Sequence, residues 1–415
     1  MGKNTVTVLE IGSSKIICVV ASQIGRKFEI LGYGTCGYTG YKYDFESRSY
    51  TYPEEKSFAT AMLRAIKYAS GEANQEITDV TIACGAPFIK SDVVKSSIMM
   101  ASKKRAVVPD DESRLMKIAG RNVVPVGYIP IHSTAKDFFA DGERSLTLPI
   151  GKSVKQLEAN FIHVFLDKQF ASICENALAS LNIKAKRFVS APHAEALYLV
   201  EKEDAMRSSV VVDIGYRHTD ITYLREGNVQ NCNSIPIGAY NFANDIVYYK
   251  NISLGNALSI TKKFAFFTDY TDAVEIIRKP DGGEDSIEKD DCSVIISSRM
   301  DELCDYIQQY MKYWNVDMAR TVMYIAGGGS MMENTDDYIS QKLGVDVYRD
   351  YPYLERSIIN TANNISAFAA AAAVINPMWQ GQNEDFELDE KPKKEGFFSR
   401  LFGKKSEESD EIDVF

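Results

Sequence analysis

The sequence TVTVLEIGSSKIICVV, at residues 5–20, has the pattern of a β-hairpin with a glycine in its turn. β-Branched residues fill both arms of this pattern, as is typical of strands. The sequence SSVVVDIGYRHTDITYL, at residues 208–224, follows the same plan about half a chain later. In both, an apolar run ends in an acidic residue, Glu10 or Asp213, which is followed by Ile-Gly, a short polar turn and a second apolar run.

Each of these stretches combines two features that suit a polyphosphate. A glycine turn presents backbone N–H groups and lets an anion approach the main chain. An acid at the end of the strand can hold the magnesium ion that accompanies a polyphosphate, usually through water. One such hairpin is also an ordinary turn in many sheet proteins, but two that face each other would clamp one nucleotide from both sides.

A third glycine-rich segment, TVMYIAGGGSMMENTDDYISQKLG at residues 321–344, has the pattern of a strand, three glycines and a helix. Gly327, Gly328 and Gly329 permit close backbone approach. We expect Ser330 to cap the helix that follows. The position of the glycines between a strand and a helix favours nucleotide contact over a flexible loop.

The order of these three segments resembles the actin–Hsp70–hexokinase superfamily, and the sequences between them resemble FtsA, the bacterial cell-division actin homologue. The FtsA-like sequences are EITDVTIACGAPFIKS (76–91), VPVGYIPIHSTAKD (124–137), LEANFIHVF (157–165) and NSIPIGAYNFANDI (233–246). The resemblance covers about residues 5–376. It is specific in arrangement and loose in residue identity.

The resemblance implies an α/β, actin-like two-domain ATPase fold, with duplicated mixed-sheet domains, flanking helices and an FtsA-type inserted subdomain. The implied divisions are residues 1–83 and 162–205 for the first domain, 84–161 for the inserted subdomain, 206–376 for the second domain with a subdomain at about 245–315, 377–394 for a flexible linker, 395–405 for an amphipathic membrane-targeting helix and 406–415 for an acidic tail. A helix at residues 364–375 should pack back onto the core, because its alanines favour helix and close packing.

The resemblance also implies ATP and Mg²⁺ as cofactors, bound between the two domains. The implied nucleotide contacts come from the three glycine-containing segments and are Glu10, Gly12, Ser13, Ser14, Lys15, Asp213, Gly215, Arg217, Thr219, Gly327, Gly328, Gly329 and Ser330. Glu10 and Asp213 would hold the metal ion.

The two hairpins depart from the family pattern at the nucleotide chemistry. The first carries Glu10 where the family has Asp, and the second reads Asp-Ile-Gly-Tyr-Arg-His-Thr-Asp where the family has Asp-Ile-Gly-Gly-Gly-Thr-Thr-Asp. Tyr216 and Arg217 restrict positive φ and close approach. Arg217 either reaches a phosphate itself or is, with His218, a solvent-facing turn residue.

A third departure concerns catalysis. Ala191 stands where the superfamily usually has the Gln or Glu that orients the attacking water. His193 or Glu195 could replace that residue only if the turn is rebuilt, and we expect His193 to be a surface residue at a helix start. Together the departures favour a protein that binds ATP and hydrolyses it slowly or not at all.

The composition limits the class of protein. The chain has 415 residues, 45% of them hydrophobic, and a formal net charge of −10, which argues against a general nucleic-acid binder with a basic face. Seven cysteines and four histidines are scattered without metal-ligand spacing, which favours buried thiols in a reducing cytosol over a metal site. We find no signal-peptide pattern and no apolar stretch near the ~20 residues that span a bilayer, so we expect a cytoplasmic protein.

The sequence EGFFSRLFGKKSEESDEIDVF, at residues 395–415, follows a charged linker. At 100° per residue, its large apolar residues form one face of a helix. The membrane-binding candidates are Phe397, Phe398, Arg400, Leu401, Phe402, Lys404 and Lys405. This pattern favours an interfacial helix on an anionic membrane, and the alternative is docking on the protein's own body or in a partner's groove.

By resemblance to FtsA, the chain would be a cell-division protein that tethers FtsZ filaments to the inner face of the cytoplasmic membrane at the septum. It would polymerise with further copies of itself as an actin-like filament, with a nucleotide between its domains. Its partners would be FtsZ, itself and the anionic membrane surface, and no nucleic acid. The alternatives are a small-molecule kinase of the same superfamily and a pilus-assembly actin-like adaptor. A main division protein and a diverged paralogue both fit the sequence.

Overall fold

The computed structural model describes residues 4–24, 27–100, 104–120, 124–279, 282–349 and 364–375. The predicted linker 377–394, membrane helix 395–405 and acidic tail 406–415 lie outside the described residues, and so do all seven membrane-binding candidates. Within the described ranges, the helices are too short or too polar to cross a membrane.

The strands and helices alternate along the chain. Up to residue 207 they are β1 (Asn4–Ile11), β2 (Lys15–Ile24), β3 (Lys27–Gly37), β4 (Tyr43–Asp44), β5 (Ser49–Tyr50), α1 (Glu55–Ala73), β6 (Asp79–Cys84), β7 (Ile89–Met99), β8 (Arg105–Ala106), α2 (Asp110–Ala119), β9 (Tyr128–Ala140), β10 (Glu143–Ser145), β11 (Ser153–Val154), β12 (Gln156–Asp167), α3 (Lys168–Ser180), β13 (Lys184–Ser190), α4 (Ala191–Leu199) and α5 (Lys202–Arg207). After residue 207 they are β14 (Ser209–Ile214), β15 (Thr219–Arg225), β16 (Asn228–Ile235), α6 (Ala239–Lys250), α7 (Leu254–Lys262), β17 (Val274–Arg278), β18 (Glu284–Glu288), α8 (Lys289–Tyr313), β19 (Val322–Ala326), α9 (Thr335–Leu343), β20 (Asp346–Tyr348) and α10 (Ile365–Ile375).

Two sheets share one topology. The first sheet has the order β13-β6-β1-β2-β3, and the second has the order β20-β19-β14-β15-β16. In each, an antiparallel hairpin, β1–β2 or β14–β15, is extended by a third antiparallel strand on one side and by parallel strands on the other. Both predicted hairpins are therefore confirmed, and so is the duplicated, actin-like α/β fold.

Helices cover both faces of the first sheet. The apolar face of α1 packs on β2 and β3, and α10 packs on the opposite face, against α4, β1 and β2. The alanines of α10 are almost fully buried there, because small side chains let a helix approach a sheet closely. The prediction that residues 364–375 form a helix packed on the core is confirmed.

A third sheet, with the order β10-β9-β12-β7, lies between β6 and α3 in the chain. Helix α2 packs on it through Leu115 and Met116, against Phe138 and Phe161. The long strand β12 runs out of this inserted sheet directly into α3. The division of the chain into the named domains stays a prediction.

Candidate functional site

The turns of the two predicted hairpins line one cavity of about 70 Å³. The segment that starts at Gly327 closes it from a third side. The lining residues are Glu10, Gly12, Ser13, Ser14, Lys15, Ile17, Tyr41, Gly85, Ala191, Asp213, Gly215, Tyr216, His218, Asp220, Gly327, Gly328, Ile365 and Ser366. Nine of the thirteen residues predicted to contact a nucleotide are in this set.

The first hairpin has a tight turn that other parts of the first sheet cover. The backbone N–H of Gly12 donates to the carbonyl of Lys15 at 3.0 Å. The hydroxyl of Tyr38 donates to the Gly12 carbonyl at 2.8 Å, and the Tyr38 N–H donates to the Ser14 carbonyl at 2.9 Å. The turn is therefore held in one conformation by its neighbours.

The second hairpin is tied to the start of α6. The N–H of Gly215 donates to the His218 carbonyl at 3.0 Å. The carbonyls of Gly215 and Tyr216 accept from the N–H groups of Ala239 and Tyr240 at 2.9 and 2.7 Å. These bonds use the first two amides of α6 and satisfy the turn that lacks the family's extra glycines.

Arg217 and His218, which are adjacent in the second turn, have different surroundings. The N–H of Arg217 donates to Ser13 Oγ at 3.1 Å, which joins the two hairpins, while its guanidinium lies 4.5 Å from the ring centre of Tyr240, beside the cavity. His218 is 7% exposed, lines the cavity and packs between Tyr41 and other aromatic rings. The alternative of a solvent-facing turn residue is therefore wrong for His218, because the rings of Tyr41 and Tyr50 cover it.

In the third glycine-rich segment, Gly327 and Gly328 line the cavity. Gly327 has a φ of +82°, and a Cβ there would lie 1.9 Å from Asp213 Oδ1. Gly329 packs on Ile214 instead. Ser330 is fully buried, and its hydroxyl donates to the Gly327 carbonyl at 2.8 Å.

The prediction that Ser330 caps the next helix is wrong. Residues 328–331 form a short 3₁₀ turn, and α9 begins four residues later, with Asn334 at its N-cap position. Thr219 also lies outside the cavity, since its buried hydroxyl donates to the Ile237 carbonyl at 2.7 Å. Each of these two hydroxyls donates to a backbone carbonyl in the second half of the chain.

Three carboxyl groups line the cavity, and a fourth lies behind it. Glu10 is 8% exposed, Asp220 is 7% exposed and Asp213 is half-buried. Burial is the largest cause that raises their pKa values, to about 8 for Glu10, about 7 for Asp220 and about 6 for Asp213, and Lys15 opposes it for Glu10. Desolvation penalises the charged form of each acid.

The fourth carboxyl, Glu195, lies behind the cavity on α4. It is 1% exposed, and burial, followed by the nearby charges of Asp213 and Asp220, raises its pKa well above the usual range. Neither Glu195 nor Asp220 is among the predicted nucleotide contacts, and Glu195 was considered only as a replacement for the residue that orients water. Asp220 was visible as the last acid of the second hairpin motif, whereas nothing local marks Tyr41 or Gly85 as lining residues.

The carboxylate oxygens at the cavity are suitable ligands for Mg²⁺, which prefers carboxylates and water. Among the described residues, however, no three acidic, histidine or cysteine side chains are placed to hold one metal ion together. The two acids predicted to serve the metal, Glu10 and Asp213, both line the cavity.

Polar contacts join the first half of the chain to the second sheet next to the cavity. Asp220 Oδ2 accepts from the N–H of Ala86, in the turn after β6, at 2.9 Å. The hydroxyls of Tyr50, in β5, and Ser234, in β16, lie 2.9 Å apart. Widening of the cavity would therefore strain these bonds.

Helix α4 begins at the cavity with Ala191, a position that offers no carboxyl or amide group to a water. The expectation that His193 is a surface residue is wrong. His193 is 3% exposed, its Nδ1 lies 2.7 Å from Ser190 Oγ, and its ring packs on His132 of the inserted sheet. The helix is covered on that side by β9.

Comparison with known proteins gives one consistent result. A family model described as Cell division protein FtsA matches residues 210–373. The protein named Cell division protein FtsA of Pseudomonas aeruginosa is 23% identical over 362 residues, which are 86% of this chain and 85% of that protein. Its namesake in Borreliella burgdorferi is 21% identical over 82% of this chain and 83% of that protein.

Solved structures agree on the fold. The PilM–PilN type IV pilus biogenesis complex has a chain that matches with a TM-score of 0.59 at 15% identity, over 90% of this chain and 99% of that chain. MreB5 of Spiroplasma citri, solved bound to ADP, matches with a TM-score of 0.50 at 11% identity, over 90% and 97%. The FtsA resemblance and the actin-like fold predicted from the sequence are confirmed.

Proposed function

We propose, from the premise that this chain is a distant relative of the FtsA proteins, that it is a cell-division protein that binds a nucleotide between its two sheets. It assembles with further copies of itself as an actin-like filament. It holds FtsZ filaments at the inner face of the cytoplasmic membrane. Both relatives are named Cell division protein FtsA and align with most of this chain, which supports the cell-division role.

One observation carries the nucleotide part of the proposal. The turns of two hairpins from different sheets and the backbone of Gly327 and Gly328 line a single cavity. Glycine turns admit a polyphosphate to the main chain. The MreB5 structure with bound ADP supports the same use of the fold.

In this proposal the cation is held by Glu10 and Asp213 and neutralises the phosphate charge. Lys15, Gly12 and Gly215 face the phosphates. Without the cation, the carboxyl groups of the cavity would repel a triphosphate. Nucleotide binding should therefore require a divalent cation.

The cavity of about 70 Å³ holds only a few water molecules. In this proposal a nucleotide widens the cavity and strains the bonds beside it, from Ala86 to Asp220 and from Tyr50 to Ser234. A ligand shifts a conformational equilibrium by its differential affinity for the two states. Nucleotide binding would in this way set the shape that assembles.

Hydrolysis should be slow, because Ala191 offers no group that can orient water. Single-turnover measurements with purified protein and radiolabelled ATP test this. We expect a rate well below that of active actin-like ATPases, and we expect Ala191→Gln to raise it. A wild-type rate equal to those enzymes would refute the slow-hydrolysis part of the proposal.

The membrane part rests on residues 395–405 of the sequence. Burying four large apolar side chains yields roughly 6–10 kcal/mol gross, and ordering the segment costs ~2–5 kcal/mol. One copy should therefore bind weakly and reversibly, while a filament should bind firmly through effective concentration. Liposome co-sedimentation should be lost in Phe398→Asp and kept in Ser399→Asp, which adds the same charge to the opposite face.

The FtsZ part is assigned to the second domain, where a groove of about 380 Å³ lies between α6 and α8. Tyr249 and Val294 line it and are 69% and 63% exposed. Arg299 also lines it and pairs with Asp245, through both carboxylate oxygens, and with Glu302, so the groove carries a fixed group of ion pairs. Co-pelleting with FtsZ should fall in Tyr249→Ala and persist in Tyr313→Ala, which removes another exposed tyrosine, at the end of α8 and outside the groove.

Localisation separates this function from its alternatives. A tagged copy should form rings at mid-cell in dividing cells, whereas diffuse or polar signal would contradict a division role. Phosphotransfer to common sugars or acids would instead favour the small-molecule kinase. A pilus-assembly adaptor should not need residues 395–405 to bind liposomes.

A further inference from the structure

Tyr38 binds the main chain of the first turn, residues 12–15, at two points. Its hydroxyl donates to the Gly12 carbonyl at 2.8 Å, and its N–H donates to the Ser14 carbonyl at 2.9 Å. The Lys15 carbonyl accepts from the N–H of Gly12 at 3.0 Å. Tyr38 therefore supplies the donors for two of the four carbonyls in this turn.

The remaining carbonyl of the turn, that of Ser13, lies against Gly40. A Cβ at Gly40 would stand 1.8 Å from the Ser13 carbonyl oxygen, so only a glycine lets the two backbones come this close. The segment at residues 38–40 thus lies against three consecutive peptide units of the turn, with the carbonyls of Gly12, Ser13 and Ser14 facing it.

The orientation of these carbonyls fixes where the N–H groups of the turn point. In a planar trans peptide, the C=O of one residue and the N–H of the next point in opposite directions. Because the carbonyls of Gly12 and Ser13 face residues 38–40, the N–H groups of Ser13 and Ser14 point away from that segment. Among the described residues, neither of these two N–H groups donates a hydrogen bond.

The segment at residues 38–40 supports the turn from behind. All four residues of the turn line the cavity, whereas residues 38–40 do not. The N–H groups of Ser13 and Ser14 are therefore left for a ligand in the cavity. Successive N–H groups that point the same way form a concavity that binds anions, and carbonyl oxygens in their place would repel a phosphate.

The ring of Tyr38 is anchored in the core of the first sheet. It packs on the fully buried Phe58 of α1, with the ring centres 5.6 Å apart. Tyr38 also directly follows β3, and its bond to Ser14 continues the pairing of β3 with β2. A side chain that is packed in this way can hold its partner to a narrow range of orientations.

We propose that Tyr38 is a positioning residue for the phosphates of the nucleotide. Its hydroxyl keeps the Gly12 carbonyl turned away from the cavity, and so keeps the Ser13 N–H directed at a phosphate oxygen. Without the hydroxyl, the peptide unit between Gly12 and Ser13 can rotate, because glycine tolerates many backbone conformations. The proposal rests on the proposed nucleotide function and names a residue that gives the first turn its preference for an anion.

The test compares ADP with adenosine, which lacks the phosphates, by isothermal titration calorimetry of the full chain in the presence of Mg²⁺. We expect ADP to bind Tyr38→Phe about 3–10-fold more weakly than wild type, the effect of one lost hydrogen bond. Adenosine should bind both proteins equally, because it places no phosphate at the first turn. A general loss of structure would instead weaken the binding of both ligands.

Tyr52→Phe is the matched control for the loss of a tyrosine hydroxyl. The Tyr52 hydroxyl donates to Asp167 Oδ1 at 3.1 Å, and neither residue lines the cavity. This variant should bind ADP as wild type does. Thermal unfolding monitored by circular dichroism verifies that each variant is folded.

Gly40→Ala tests the same segment at a second point. The new Cβ would press on the Ser13 carbonyl and displace the turn, so ADP binding should fall at least as far as in Tyr38→Phe. Gly71→Ala on α1 is its control, because a Cβ there meets nothing within 4 Å. A folded Gly40→Ala variant that binds ADP as wild type does would contradict the supporting role of residues 38–40.

The outcomes separate this proposal from the nucleotide function. If wild type and Tyr38→Phe bind ADP equally well, the proposal about Tyr38 is overturned and the nucleotide function stands. Equal losses for ADP and adenosine in Tyr38→Phe would also overturn it, because the effect would not depend on the phosphates. If wild type does not bind ADP, both proposals fall.

Discussion

Replacing Gly327 with alanine should destabilise the second sheet and displace the carboxylate of Asp213. The new Cβ would stand 1.9 Å from Asp213 Oδ1 and 2.5 Å from the carbonyl oxygen of Ile214. The backbone carbonyl cannot move as a side chain can. The φ of +82° at Gly327 adds a conformational cost that any L side chain incurs.

The expected loss of stability combines a backbone term and a packing term. The backbone of Gly327, with a φ of +82° and a ψ of 165°, lies in a region that is essentially restricted to glycine and costs about 1–3 kcal/mol for an alanine, and the smaller entropy of the unfolded chain returns about 0.4–1 kcal/mol. Forcing extra volume into a packed site costs about 1–3 kcal/mol more. We therefore expect Gly327→Ala to lose about 2–4 kcal/mol of unfolding free energy by the sum of these terms.

Gly344→Ala is the control for a positive φ alone. Gly344 has a φ of +70° at the end of α9, in the left-handed helical region, and a Cβ there would meet nothing within 4 Å. This variant should lose only about 1 kcal/mol. The difference between the two variants measures the contact of Gly327 with Asp213 and Ile214 together with the stricter backbone of Gly327.

Urea unfolding followed by tryptophan fluorescence gives the free energies. Trp314 packs on Tyr223 of β15 and so reports on the second sheet. The chain has two tryptophans, and Trp379→Phe in every variant removes the other signal. Asp213→Ala should recover part of the loss in Gly327→Ala, because it removes the oxygen that the Cβ would meet. Equal losses in Gly327→Ala and Gly344→Ala would refute this account of the site.

Three further measurements test contacts around the site. Burial lowers the pKa of His193 from 6.5 to about 3. Below pH 6.5 the unfolded chain therefore binds more protons than the folded protein, and stability falls as the pH falls. About 2 kcal/mol of unfolding free energy should be lost between pH 7 and pH 5 in the wild type, and His193→Gln should keep most of it. In a double-mutant cycle of Arg144→Gln with Glu226→Gln, the coupling across this partly exposed pair should be about 0.5–1 kcal/mol and fall with added salt. Tyr50→Phe should cost about 1 kcal/mol, and Ser234→Ala should then add little, because both remove the same 2.9 Å hydrogen bond.

Each of these has an outcome that contradicts it. An unchanged pH slope in His193→Gln would mean that His193 is protonated in the folded protein. Strict additivity of Arg144→Gln and Glu226→Gln would mean that the pair does not couple the inserted sheet to the second sheet. Additive losses for Tyr50→Phe and Ser234→Ala would mean that their hydroxyls act on different partners.

The local elements of the fold could be predicted because their signals are local. Alternating and β-branched residues fix a strand, and a glycine after an acid fixes a tight turn, so both hairpins and their acids were readable. The alanine-rich helix at residues 364–375 was readable for the same reason. Ser330 shows the limit, since a serine before a helical pattern resembles a cap, but its hydroxyl bonds the Gly327 carbonyl instead.

Burial was harder to predict than conformation. His193 and His218 are polar residues at a helix start and in a turn, where solvent exposure is the usual outcome. Both are buried because another sheet covers them: β9 lies over His193, and the segment around Tyr41 lies over His218. No pattern near either residue records which distant segment packs on it.

The sequence by itself determined the two acid-Ile-Gly hairpins, the glycine segment and the resemblance to FtsA, because strand, turn and helix depend on neighbouring residues. Only the tertiary structure decided which groups share the cavity. It brought Glu195 to Asp213, and Ala86 to Asp220, across long stretches of chain. The physical reason is that hydrogen bonds and desolvation act through space, so the chemistry of the site depends on packing that no short stretch of sequence contains.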